Sequence, residues 1–473
     1  MARAVVVGSG PNGLAAAITL AREGVDVTVV EANHAIGGGL TSGERTVPGV
    51  LHDDCAAIVP TALASPFMRS LDLAAHGVEW VWPEVDLAHP IDGGRAGVLT
   101  RSLDDTVAGM GIDGPAWRRL FSPLATHFDE LAPDLLGPLL RIPAHPVRMA
   151  SFGARALTPA TVVARRWRTD EVRALWAGNA AHGWQPLNRP PTSGVALTFG
   201  AVAHRYGWPA VMGGSARLAE GMAATLRNAG GVVVTGERVV SRAQLGGADV
   251  VMFDVAPGAV ADLLGDALPA RIRRAYQAFR HGSAAFKVDL AVAGGVPWTA
   301  ASCRVAGTVH VCGSFGDVVA AERATAAGRM PERPFVVVAQ QYLMDPGRSV
   351  GDVHPVYAYA HVPHAYSGDA TSVIIDQIER FAPGFRDRIV GVHSRGPREL
   401  GVHDANLVGG DVNGGAMDLR QFVARPRWST DPYWTGVPGH YLCSSSTPPG
   451  GGVHGMAGHL AAMSALRRLG KTR

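Results

Sequence analysis

The glycine pattern Gly8-Ser9-Gly10-Pro11-Asn12-Gly13 constrains this chain more than any other feature, because of what flanks it. Residues 4–7 before it are apolar and predict a short buried strand. Residues 14–22 after it are rich in Ala and Leu without an internal breaker, and predict a helix. Gly24 ends that helix, and residues 26–30 read as a second strand closing on Glu31. Strand, glycine turn, helix, strand and acid in this order make a parallel βαβ unit that binds a dinucleotide. Gly8 permits the tight turn, Gly10 lets the backbone approach a pyrophosphate, and Gly13 lets the helix lie close on the strand. With Pro11 and Asn12, the helix start offers unpaired N–H groups and its positive dipole end to phosphate. Glu31 is placed to accept hydrogen bonds from a ribose. Its charge disfavours a 2′-phosphate, so FAD or NAD is preferred over NADP.

The string by itself would be weak. Gly109-Met110-Gly111-Ile112-Asp113-Gly114 also matches it, but follows the polar Asp104-Asp105 and precedes Pro115, so it reads as a loop.

Charge and cysteine content exclude several classes. Lys and Arg number 43 against 40 Asp and Glu, with no long basic run, so a nucleic-acid surface is not expected. Cys55, Cys303, Cys312 and Cys443 lie far apart, which predicts buried reduced thiols and no dithiol redox site. His361 and His364 are not spaced as a convincing metal set, since no carboxylate or Cys completes it. No secretory leader and no long apolar span is read, and a cytoplasmic location, with peripheral membrane contact as an option, is the expectation.

A second glycine-rich block stands near the far end. After a short strand ending at Tyr441 and Leu442 come Thr447-Pro448-Pro449-Gly450-Gly451-Gly452-Val453-His454-Gly455-Met456 and an Ala-rich helix over about 457–469. A glycine loop feeding a helix is a second dipole-binding end. FAD is long, and its pyrophosphate and its flavin ring each need support, so two such units favour FAD over NAD.

The run Gly8-x-Gly10-x-x-Gly13-x-x-x-Ala17-x-x-Leu20-x-x-x-Gly24-x-x-Val27-x-Val29-x-Glu31, with Gly37-Gly38 five residues on, resembles the FAD fingerprint of the phytoene desaturase and amine oxidase superfamily. Further motifs are similar to one branch, the phytoene-desaturase-like group named for pyridine nucleotide-disulfide oxidoreductase domain-containing protein 2. They are His52-Asp53-Asp54-Cys55, Gly207-Trp208-Pro209 to Gly213-Gly214-Ser215, Gly307-Thr308-Val309-His310, 358–363, 377–385 and 448–456. The chain departs from the superfamily where Gly39-Leu40 follows the paired glycines in place of an Arg that reaches the flavin phosphates.

The resemblance implies an α/β fold: a Rossmann-type, glutathione-reductase-like FAD-binding domain with a discontinuous α+β substrate domain. Pieces 1–60, 205–265 and 430–473 would bind FAD, and 61–204 and 266–429 would form the substrate domain. Gly37, Gly38, Gly39, Gly213, Gly214, Val239 near the adenine, Gly452, Val453, Gly455 and Met456 join the expected cofactor contacts. Gly213-Gly214-Ser215 would open a helix through Arg227, followed by strands at 232–234 and 249–254. Residues 286–292 and 335–339 read as strands of the substrate domain. The Pro-broken segment 130–149 reads as a broken helix on the core, or as a lipid-facing entrance like that of relatives with apolar substrates. Trp208 and Pro209 are expected to wall the cavity.

Flavins take a hydride at N5, and the protein supplies position and charge control. His454, in the C-terminal glycine loop, is the first candidate for the chemistry, with loop packing as its alternative. Tyr359 and His361 share one face of an expected strand, with His364 just beyond. Lys287, paired with Asp289 on one strand face, is the fourth candidate. Gln340, Gln341 and Arg425 are weaker. These readings predict an FAD-dependent oxidoreductase moving a hydride from a C–C or C–N bond of an apolar or amine-bearing small molecule to flavin N5. A quinone, oxygen or an electron-transfer protein would be its acceptor. A redox-neutral flavin-dependent isomerase and a flavin-bearing binding protein are the alternatives.

Overall fold

The computed structural model describes residues 1–471, so the last two residues of the expected piece 430–473 lie outside the described residues. Its first sheet is built on the opening βαβ unit. Arg3–Val7 pairs in parallel with Asp26–Val30 on one side and Val250–Phe253 on the other. Val232–Val234 and His440–Leu442 close the two edges. In chain order the five parallel strands run 3-2-1-4-5 across the sheet, the doubly wound order of dinucleotide-binding folds. The three inner strands are short Val-rich runs packed between helices on both faces, as a parallel sheet requires, whereas the edge strand Val232–Val234 is partly exposed.

The helices Pro11–Arg22, Ala216–Asn228 and Met456–Arg468 cover one face. Pro257–Leu264 and Ala270–Gln277 cover the other, where Val5, Phe253, Leu264 and Tyr276 form one cluster. The terminal helix lies hard against the first one. A Cβ on Gly458 would stand 1.8 Å from the Asn12 carbonyl oxygen, so only glycine allows the two backbones to meet there.

The second sheet is mixed and has seven strands, in the order Ile389–Arg395, Ala284–Ala293, Val353–Val362, Val336–Ala339, Ala306–Val311, Val85–Ile91, Arg95–Leu99. One face packs on the helix Thr371–Phe381 through Ile374, Ile378 and Phe381. All strands of the first sheet fall within 1–60, 205–265 and 430–473, and all strands of the second within 61–204 and 266–429. The fold is therefore an α/β Rossmann-type unit joined to a mixed substrate sheet.

His52-Asp53-Asp54 ties these parts together. Asp53 accepts hydrogen bonds from the Ser215 amide at 2.7 Å and from Arg348 at 2.6 Å, and Asp54 pairs with Arg45 and Arg395. These carboxylates are fully buried, and removal of one partner would strand a charge.

Two readings of the sequence are corrected here. Residues 109–114 are not a loop: Leu103–Gly109, a 3₁₀ turn at Gly111–Asp113 and Gly114–Thr126 form a helical junction. Gly114 is required there by packing, since a Cβ would meet the Val107 carbonyl oxygen at 2.4 Å. Cys55 is only half-buried, whereas Cys303, Cys312 and Cys443 are buried; all four are free.

Candidate functional site

The glycine turn, the C-terminal loop and the inner face of the mixed sheet enclose one cavity of about 1050 Å³. That is slightly above the ~300–1,000 Å³ usual for cofactor and ligand sites. At one end stand Gly8, Gly10, Pro11, Asn12 and Glu31. Gly13 does not line the cavity. Its Cβ would stand 2.2 Å from the Gly8 carbonyl oxygen, so it lets the helix close on the turn. Gly10 is crowded on its inner side by Asp254, whose Oδ2 would be 2.7 Å from an added Cβ. Gly38 lines the cavity directly against Gly10, where a Cβ would approach the Gly10 Cα to 3.3 Å. Gly39 also lines the cavity, but Gly37 serves packing, since its Cβ would press on Ala219 at 2.8 Å.

Glu31 is buried, and its Oε2 accepts from the Ser9 amide at 2.9 Å and the Ser9 hydroxyl at 2.6 Å. Its Oε1 accepts from the Asn33 amide at 2.8 Å. The acid is thereby fixed at the end of its strand while still facing the cavity.

Three residues that the sequence reading passed over also stand at this end. Asp254 and Asp404 are carboxylates, and Arg238 is the exposed cation beside them. Burial pushes Asp254 up to about 7, against the Gly13 N–H that it accepts, with help from the Asp404 and Glu31 charges. Burial raises Asp404 as well. Three carboxylates would oppose a phosphate if all were ionised, and these shifts reduce that charge. Asp254 had a legible signal, for it closes an apolar strand as Glu31 does.

The turn fits a dinucleotide: a backbone cradle without side chains, a ribose acceptor, and Asn12 Oδ1 buried there without a protein partner. Val239 lines the same end. Gly213 and Gly214 do not. The Gly213 amide donates to Asp345 Oδ2 at 2.7 Å, and Gly214 packs on Ser42, so this turn joins elements and leaves the cavity to others.

Midway, Gly452, Val453 and His454 line the wall. Both ring nitrogens of His454 are engaged within its loop. Nδ1 accepts from the Met456 amide at 3.1 Å, and Nε2 lies 3.2 Å from the Gly450 carbonyl oxygen. Burial lowers its pKa to about 4. The imidazole is thus a neutral brace for the loop, with no nitrogen left for acid–base work. Gly455 and Met456 do not line the cavity; Gly455 takes φ 64 at the helix start, and a Cβ would press on Ala15.

The far end is an apolar chamber between the mixed sheet and the helix Pro146–Ala156. Met149, Phe152, Trp184, Tyr359 and Lys287 face it. Residues 130–149 are a broken helix, with Phe128–Leu135 ending before the next begins, and the segment also walls the chamber. Trp184, which the sequence reading missed, holds a left-handed backbone at φ 50, uncommon for a bulky residue. Its ring lies parallel to that of Tyr359, at 4° and 5.9 Å. His361 does not line the chamber. It stacks behind Trp184 at 3.6 Å, and its Nδ1 bonds Glu322 at 2.7 Å. His364 is outside as well, on the Gly282 carbonyl at 2.9 Å.

Lys287 is 2% exposed, pairs with Asp289, and lies 4.4 Å from the centre of the Tyr357 ring. Burial lowers its pKa, partly offset by the Asp289 charge. Trp208 and Pro209 do not wall the cavity. Trp208 packs one layer back, edge-on to His182 and Phe199. Gln340 holds Trp298 and two carbonyls, Gln341 reaches Asp53, and Arg425 gathers loop carbonyls, so all three are structural. Among the described residues no group of three or more His, Cys, Asp or Glu is placed to hold a metal ion, and no helix is long and apolar enough to cross a membrane.

Comparison with known proteins agrees with this geometry. Residues 6–71 match the family described as NAD(P)-binding Rossmann-like domain. The chain is homologous over its whole length to pyridine nucleotide-disulfide oxidoreductase domain-containing protein 2 of Rattus norvegicus. The two are 26% identical, over 98% of this chain and 93% of that protein. An oxidoreductase from Methanosarcina mazei shares the fold with a TM-score of 0.61 at 17% identity, over 98% of this chain and all (100%) of that one. Wild-type putrescine oxidase bound to putrescine does so with a TM-score of 0.61 at 16% identity, over 99% of each chain.

Proposed function

We propose that the chain is an FAD-dependent oxidoreductase of the dehydrogenase or desaturase type, taking a hydride from a C–C or C–N bond of an apolar or amine-bearing small molecule. One observation carries this reading: a single cavity joins the glycine turn and Glu31 to an apolar chamber on the mixed sheet. The length of that path suits a cofactor whose two ends need separate support. The fold shared with putrescine oxidase and the full-length homology to an oxidoreductase-domain protein support it further.

FAD bound along the cavity would supply the hydride acceptor, flavin N5, and a quinone, oxygen or an electron-transfer protein would restore it. The chain's own residues do the rest. The Gly8–Gly13 turn and the helix behind it would hold the pyrophosphate, Glu31 the ribose, and Val239 the adenine. Gly38, Gly39, Gly452 and Val453 would border the flavin end. Trp184 and Tyr359, already stacked on each other, would orient a flat apolar or cationic substrate against their rigid aromatic surface. Lys287, fixed by Asp289, would hold or take up a proton at Nζ. The four cysteines are free and unpaired, which argues against disulfide chemistry despite the homologue's name.

The test is the visible spectrum of the purified protein, recorded anaerobically before and after NADPH. Bands near ~450 nm that persist with NADPH are expected of a bound flavin awaiting electrons from an organic substrate. Folded protein without those bands refutes FAD binding, and bleaching within seconds by NADPH refutes the dehydrogenase reading in favour of a reductase or monooxygenase.

A further inference from the structure

One half-buried histidine and two buried ones lead away from the chamber. The helix Asp170–Ala181 packs over the strand Val85–Ile91, and His182 follows its last turn. His182 lines the cavity, and its Nε2 lies 2.9 Å from Nε2 of His310. His310 stands on the strand Ala306–Val311, which runs parallel to the strand that carries His89. His310 and His89 are both 0% exposed. His89 Nε2 lies 2.8 Å from the Gly313 carbonyl oxygen, so that nitrogen carries the proton and Nδ1 is an acceptor.

His310 Nδ1 and His89 Nδ1 have no partner among the described residues. Both point to one place. A Cβ on Gly178 would stand 2.6 Å from each, so the two nitrogens lie no further apart than twice that distance. One water with two ordinary hydrogen bonds of ~2.8 Å spans such a gap. Leaving a buried donor at His310 Nδ1 and a buried acceptor at His89 Nδ1 unmet would cost about 1–3 kcal/mol each, and a bridging water that accepts from the first and donates to the second removes that cost. Gly178 is the residue that leaves room, and it stands one helical turn before His182.

We propose that His182, His310 and His89, linked by a water held opposite Gly178, form a proton path between the cavity and the buried Gly313 carbonyl, one residue from exposed Ser314. Burial keeps all three rings neutral, with His182 near 3, His89 near 4 and His310 lowered as well. A neutral imidazole transmits a proton by exchanging which nitrogen bears it. A proton from the cavity binds His182 Nδ1 as His182 Nε2–H passes to His310 Nε2. His310 Nδ1–H then passes to the water, and the water delivers a proton to His89 Nδ1. Only N–H and O–H bonds change, and one positive charge moves from cavity to His89. Asp317 favours the charge there, and release follows when the bond from His89 Nε2–H to Gly313 opens beside exposed Ser314. The use of the path rests on the oxidoreductase reading, whereas its construction does not.

Two measurements test it. A crystal structure at about 1.5 Å, with ¹⁵N spectra of histidine-labelled protein, should show the bridging water and His89 as the neutral Nε2–H form. Absence of that water, or an Nδ1–H His89, overturns the path whether or not flavin is present. In the holoprotein, flavin first reduced photochemically is reoxidised with ferricyanide, and the proton release that accompanies reoxidation is timed by a pH-indicator dye. Release should slow at least tenfold in Gly178→Ala, whose methyl displaces the water, and in His89→Gln, while the extent of flavin reoxidation is unchanged. Release as fast as in the wild type in either folded variant overturns the path. Folded protein that holds no flavin overturns the functional reading alone, and the water and tautomer then decide the path.

Discussion

The Gly13 amide donates to Asp254 Oδ2 at 2.8 Å, joining the glycine turn to a strand 241 residues further along the chain. This bond holds the turn in the shape that a pyrophosphate would meet. It also buries a carboxylate beside Glu31 and Asp404, which gives the turn a pH dependence.

Asp254 titrates near 7 in the fold against 3.8 as a free side chain. The native state therefore binds more protons than the unfolded chain between those values, and stability falls as pH rises through that window. The loss levels off above pH 7, at a few kcal/mol at most. Asp254→Asn keeps an acceptor for Gly13 and removes the titration. Thermal unfolding of the cofactor-free variant from pH 4.5 to 8.5 should show a shallower decline than the wild type. Parallel curves would remove Asp254 as the source.

Glu31→Ala strips the Ser9 and Asn33 amides of their acceptor and removes the proposed ribose contact. FAD retention through a desalting column, followed by titration, should show affinity at least tenfold weaker, with the thermal midpoint of the cofactor-free protein lowered by a smaller margin. Unchanged FAD affinity would place the ribose elsewhere.

Gly458→Ala puts a methyl 1.8 Å from the Asn12 carbonyl oxygen, where only a shift of the helix can relieve it. A loss of about 1–3 kcal/mol is expected, the usual penalty of overpacking. Chemical denaturation of the purified variant measures it, and a loss below ~0.5 kcal/mol would mean that the two helices slide apart freely.

Asp289→Ala leaves the Lys287 ammonium buried without its partner. The expected cost is about 3–5 kcal/mol at neutral pH. The double variant Lys287→Met with Asp289→Leu should recover most of it, because neither charge then needs solvation. If the double variant is as unstable as the single one, His52 and Arg395, which also approach Asp289, dominate the site.

The sequence by itself determined the first 31 residues, since a strand, a glycine turn, a helix and a second strand are local patterns within one short stretch. It likewise placed the C-terminal glycine loop, the Lys287–Asp289 pair, and Tyr359 and His361 on one strand face. Only the tertiary structure decided which of these side chains meet the cavity. Trp184 comes between its wall and His361, and that depends on a left-handed turn after a helix far away in the chain. The sequence leaves His454 open to chemistry or to loop packing, and the two backbone partners that decide between them exist only once the loop has closed. Gly213 and Gly214 carry the composition of a phosphate turn yet serve a junction. The spacing of residues reports helices and strands, whose periods are set by the backbone nearby. Which faces are buried together depends on contacts hundreds of residues apart, and those are settled by packing alone.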